Sequence, residues 1–230
     1  MATRRWFGDA VDVSQVDTIT VANTWATADT CTLTINGKDL VLTVGTDTTT
    51  AQVALAIQEM VSNTTQTGTG NHTFSETGDN IGEFAELTAT VSGSVVTLTS
   101  DKGVPFTLAV VEVTAGSGTS VEATATAATG KNFFDNADNW SGTTVPVDDD
   151  DIVFDSGDVD LKYNIDQNGV TATSITIFQS YTGKIGLPET NSDNSSLTYR
   201  EYRRPRSRLA RARAAARDVF GSTAARARRC

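Results

Sequence analysis

Nine aspartates fall between Asn132 and Asp160 of this 230-residue chain, four of them consecutive at Asp148 to Asp151. Carboxylate oxygens gathered on one turn are the ligands that a hard cation prefers. Asp148, Asp149, Asp150 and Asp155 are therefore the candidate metal ligands, with calcium as the candidate cofactor. Neither EF-hand spacing nor a Gly-Asp nonapeptide repeat accompanies them, and a solvated acidic turn accounts for the same run.

Other chemistry is thinner. His72 is the only histidine and lies in a polar stretch, where a surface loop residue is expected. Neither a Ser-His-Asp arrangement nor a His-rich metal site can be assembled around it. Glu83, Glu86 and the aspartates could pair as glycosidase carboxylates, since such pairs need only a suitable separation in space, but any acidic β protein offers as much. Trp6, Trp25 and Trp140 could stack on sugar rings, yet scattered tryptophans usually serve as core or cap residues. No catalytic residues are assigned and the chain is expected not to be an enzyme.

Charge narrows the partners. The formal charge of -10 joins two populations, because residues 200–230 carry 11 Arg against Glu201 and Asp218, a net +9, which leaves -19 for the rest. A body that acidic does not bind phosphates along its surface, which argues against a nucleic-acid partner except through the Arg-rich tail. Cys31 alternates with apolar residues and reads as a small core side chain, and Cys230 ends the sequence, so no disulfide framework is predicted.

These residues must be carried by β structure. "TCTLTINGKDLVLTV" alternates apolar and polar positions on either side of Asn36-Gly37, the pattern of a tight hairpin with Cys31, Leu33, Ile35, Leu40, Leu42 and Val44 inward. The period then changes: Val53, Ile57, Met60 and Val61 predict one amphipathic helix over Thr49 to Ser62, with a threonine as N-cap. A long Gly-rich loop follows from Thr64 to Glu83. Strand alternation resumes at Phe84 to Val91 and Val95 to Leu98, with a last apolar segment over Val104 to Val113.

The fold class expected is mainly β: an N-terminal antiparallel sheet domain with one packed α-helix, then a short, incomplete β-solenoid and an Arg/Ala-rich tail. The boundaries are 1–16 as an N-terminal arm, 17–113 as the sheet-plus-helix domain and 114–131 as a linker or edge strand. Residues 132–202 are the solenoid-like start, and 203–230 the tail, helical or disordered. Short apolar pulses at Ile152-Val153-Phe154, Val159-Leu161, Ile175-Ile177 and Ile185-Leu187, separated by Asp, Asn and Gly, suit stacked coils.

"NADNWSGTTVPVDDDDIVFD", Asn136 to Asp155, resembles the opening coil of right-handed parallel β-helix proteins of bacterial surfaces and phage fibres. Those coils begin with an Asn-Trp pair, a Gly turn, a proline and an acidic turn. The resemblance implies a structural cap made of Asn139, Trp140 and Pro146, with Trp140 over the open end of the stack. The first domain is similar to a module repeated in phage virion proteins and large bacterial adhesins.

Two functions follow from these resemblances. The first is a non-enzymatic structural protein of a phage virion, a tail, fibre or surface component, which self-associates or docks to other virion proteins. The alternative is a bacterial surface or adhesin-type protein that recognises glycans or protein. The opening residues lack the apolar run of an export signal, and no stretch is apolar enough to span a membrane. That favours assembly in the host cytoplasm and location in the virion over the bacterial cell surface.

The run "YREYRRPRSRLARARAAARD" leaves three readings open: a nucleic-acid arm using Arg203, Arg204, Arg206, Arg208, Arg211 and Arg213 on a helix from Ser207 to Phe220, a helix docking onto the acidic body, or a shift of reading frame near Tyr202.

Overall fold

The computed structural model describes residues 2–62, 71–76, 87–165 and 170–186. Within them the chain is mainly β with one α-helix. In chain order the strands are β1 (Thr3–Arg5), β2 (Val16–Ala22), β3 (Thr30–Ile35), β4 (Lys38–Thr43), β5 (Thr73–Glu76) and β6 (Leu87–Ser92). They continue with β7 (Val95–Ser100), β8 (Leu108–Val113), β9 (Thr119–Thr126), β10 (Asp151–Phe154) and β11 (Ser174–Ile177); helix α1 (Thr50–Val61) lies between β4 and β5. The described residues divide into two compact units: 12–129 form one, and 2–11 join 130–186 in the other.

In the 12–129 unit the hairpin forms as its sequence predicts. Asn36 and Gly37 both take positive φ, 53° and 82°, and Ile35 pairs with Lys38 across a two-residue turn. Cys31, Leu33, Ile35, Leu40, Leu42 and Val44 are buried on one face. Helix α1 begins at a capping box, in which Gln52 N–H donates to Thr49 Oγ1 at 3.4 Å and Thr49 N–H to Gln52 Oε1 at 3.2 Å. This satisfies two of the N–H groups that a helix start leaves without intrahelical partners.

The expected single sheet is two. One has the strand order β6-β7-β2-β9 and the other β5-β4-β3-β8, each antiparallel throughout. Their inward residues share one core with Val53, Ile57, Met60 and Val61 of α1. Alternation along a strand says which side chains turn inward, but each strand's neighbours depend on partners far away in the chain. The stretch Thr64 to Glu83, expected as loop, contains β5. Its alternation is weak, but pairing with β4 satisfies its backbone and Phe74 packs against the shared core.

Residues 114–131 include β9, an edge strand on β2, which was one of the two expectations for this segment. The unit begins earlier and ends later than residues 17–113, because Val13 N–H donates to Thr129 O at 2.8 Å and ties its two ends together.

In the second unit part of the segment expected as an N-terminal arm, 1–16, is a strand. Strand β1 pairs in parallel with β10, Thr3 opposite Asp151, and β10 pairs in parallel with β11, Asp151 opposite Ser174. Isolated parallel bridges join Phe133 to Tyr163, Gly157 to Tyr181 and Leu161 to Ile185. The core is Trp6, Phe134, Trp140, Ile152, Phe154, Leu161, Ile165 and Tyr181. Residues 12–129 are thus an insertion between the first strand of this unit and the rest of it. The expected continuation over 187–202 and the tail 203–230 lie outside the described residues.

Candidate functional site

The parallel ladder of the second unit gathers most of the residues singled out in the sequence. Strand β10 carries Ile152, Val153 and Phe154 buried, and the turn before it is Val147 to Asp150, where Asp149 takes a left-handed φ of 66°. Pro146, buried, fixes the chain just ahead of that turn.

The turn aspartates are bonded to neighbouring strands of the ladder. Asp148 Oδ1 accepts from Thr171 N–H at 2.6 Å, and Asp149 N–H donates to Thr171 O at 3.0 Å. Asp151 accepts from the Ser174 hydroxyl, and Asp160 Oδ1 from Lys184 N–H at 2.8 Å. Asp150, only 2% exposed, holds the other side of the ladder: its oxygens accept from Ala2 N–H at 2.7 Å, Arg4 Nε at 3.1 Å and Val147 N–H at 3.3 Å. Asp155 is paired with Arg5.

Burial alone would raise the Asp150 carboxyl. The N–H of Ala2, the Arg4 guanidinium and the N–H of Val147 outweigh it and hold the group below its ordinary value. Asp160 follows the same logic: burial opposes ionisation, and the Lys184 N–H and the Lys162 ammonium prevail. Tyr181, whose hydroxyl donates to Val159 O at 2.8 Å, is pushed up to about 12 by burial, with the Asp160 charge adding to the rise.

This arrangement sets the four candidate ligands in hydrogen bonds and ion pairs of the unit itself. Among the described residues no group of three or more His, Cys, Asp or Glu could hold a metal ion. Asp148, Asp149, Asp150 and Asp155 do not converge, because Asp150 faces Arg4, Asp155 faces Arg5 and Asp148 faces the backbone of the next strand.

Asn139 and Trp140, expected as cap residues, are both buried in this unit. Asn139 is fully buried; its Oδ1 accepts from Ala10 N–H at 2.9 Å and its Nδ2 donates to Gly130 O and Phe133 O, both at 2.8 Å. Its own carbonyl accepts from Phe7 N–H at 2.8 Å. One side chain thereby joins the segments on either side of the 12–129 insertion. Trp140 Nε1 donates to Phe134 O at 2.7 Å, and its ring meets Phe134 and Phe154 edge-on. Trp6 packs against it, and Trp140 is 1% exposed within the core of this unit.

Sequence reasoning missed β1. Three residues are too few to display alternation, and the only signal was a Trp-Phe pair after two arginines. The remaining tryptophan, Trp25, lies in the core of the other unit with its Nε1 donating to Ala22 O at 3.0 Å. With all three indoles buried, none offers the sugar-stacking face considered above. His72 is another correction, being buried at 7% exposure rather than in a surface loop. Glu83 and Glu86 lie outside the described residues.

No protein-family model matches this chain, and no curated protein or solved structure is detectably similar to it. Among the described residues no helix is long and apolar enough to cross a membrane.

Proposed function

We propose that this chain is a non-enzymatic structural protein of a phage virion, a tail, fibre or surface component, in which the 2–11 and 130–186 unit is the start of a β-solenoid and the 12–129 unit is a module inserted into its first coil. One observation carries the reading: β10 and β11 pair in parallel at an offset of 23 residues, and Asp160 and Lys184, at an offset of 24, repeat the match on the far side of the unit. Parallel partners recurring at short offsets, Phe133 with Tyr163 as well as Leu161 with Ile185, are the geometry of successive coils, each supplying the hydrogen-bond partners of the next. The turn aspartates bonded from coil to coil support the same reading, as does the resemblance of Asn136 to Asp155 to phage-fibre openings.

Among the described residues this unit has strand edges that an assembly would cover. Among the described residues β11 is paired with β10 alone, and its last residue Ile177 and the following Phe178 are 55% and 50% exposed. Sedimentation of the full chain, together with mass spectrometry of purified particles from the source genome, tests the proposal. Oligomers and presence in the particle are expected. A strict monomer absent from particles overturns it, and secretion to a cell surface would favour the adhesin alternative.

A further inference from the structure

The one histidine of the chain is placed where its protonation state has a mechanical consequence. His72 immediately precedes β5, and Gly45 lies two residues beyond the end of β4, its antiparallel partner. Gly45 N–H donates to His72 Nδ1 at 3.0 Å. The bond lies just past the last strand pair, Thr43 with Thr73, and closes the excursion of chain that carries α1. An imidazole nitrogen accepts a hydrogen bond only while it is unprotonated.

We propose that the Gly45–His72 contact is a proton-sensitive latch, in which the neutral imidazole holds together the two ends of the α1-bearing excursion and protonation releases them. Among the described residues the charged groups facing the imidazole are Asp47, between β4 and α1, and Glu59, a residue of α1 that is 2% exposed. Both favour the imidazolium. Burial opposes them and is the larger effect, so the group is held below its ordinary value of 6.5.

The sign follows from linkage. A histidine with a lowered folded value binds fewer protons in the folded state than in the unfolded one. The latch therefore contributes its full stability above the ordinary value, and that contribution is lost as pH falls from there through the folded value. Release is felt first at α1, whose Val53, Ile57, Met60 and Val61 fill the core between the two sheets.

The test is the titration of the His72 Cε1 proton by NMR on the full chain. It is paired with amide exchange of Thr50 to Val61, corrected for intrinsic rates, between pH 7 and pH 4.5. The expected results are a midpoint below 6.5 and protection in α1 that falls by up to about tenfold per pH unit between 6.5 and that midpoint. His72→Gln, whose side-chain oxygen accepts from Gly45 without titrating, should keep α1 protected and remove that pH response. A midpoint at or above 6.5 means that Glu59 and Asp47 prevail and overturns the proposal, as does an unchanged pH response in the Gln variant. If that variant does not fold, the wild-type midpoint and the α1 exchange still decide.

Discussion

Trp6 meets Trp140 edge-on, with ring centroids 5.0 Å apart and planes at 70°, although the whole 12–129 unit lies between them in the chain. Edge-to-face pairs of this kind contribute about 0.5–1.5 kcal/mol beyond the burial of their surface. Here the pair also fastens β1 to the aromatic core of its unit. Trp6→Ala is expected to cost that unit about 3–5 kcal/mol. Hydrogen exchange should register the loss at residues 151–165 while β3 and β4 stay protected. Equal loss in both units would contradict the division of the chain.

Asn139→Ala leaves Ala10 N–H, Gly130 O and Phe133 O without their side-chain partner. Each orphaned buried group costs about 1–3 kcal/mol. The variant should unfold the 2–11 and 130–186 unit at lower denaturant than wild type, and Asn139→Asp, which sets a buried carboxylate against the Gly130 and Phe133 carbonyls, should cost at least as much. Denaturant titration followed by tryptophan fluorescence compares the two.

Gly8 takes a φ of +72°, and a Cβ built there would lie 2.4 Å from Val159 Cγ1. Both the backbone conformation and the space exclude a side chain. Gly8→Ala is expected to destabilise the unit by more than about 1 kcal/mol, whereas Gly93→Ala, with a comparable positive φ but open space around it, should cost less. Paired thermal melts test the ranking.

Asp150 ties the turn before β10 to Ala2 and Arg4, and its carboxyl is held below its ordinary value of 3.8. Its contribution to stability is present above the ordinary value and lost as pH falls through the folded one. Acid unfolding of the second unit should shift to higher pH in Asp150→Asn. Calcium or a chelator should leave the melting temperature unchanged, and a calcium-dependent rise would restore the metal site that the geometry argues against.

Cys31 is buried against Ser120, and burial pushes its thiol up to about 11, with the Ser120 hydrogen bond opposing and the Glu112 charge adding to the rise. In a Cys230→Ser background the native protein should react with a thiol reagent only as fast as it opens. Rapid labelling of Cys31 at neutral pH would show that β3 and β9 are not packed as described.

Local structure was legible wherever its cause was local. The period-two pattern on either side of Asn36-Gly37 dictates a hairpin with Cys31 and Leu42 inward, because only one face of such a strand is apolar. The period-3.6 pattern after Thr49, with Gln52 three residues on, dictates a capped helix. The buried set of both elements could be named in advance for the same reason.

What only the tertiary structure decided was partnership. Trp6 and Trp140, Asp150 and Arg4, Gly45 and His72 are each brought together by pairing between segments far apart in the chain, with no tight turn between them to mark the register. The run Asp148 to Asp151 shows the difference in one place. Its composition suits a cation, but the fold sets the Arg4 guanidinium, backbone N–H groups and the Ser174 hydroxyl against those carboxylates. They therefore join strands of one ladder instead of gathering around a metal.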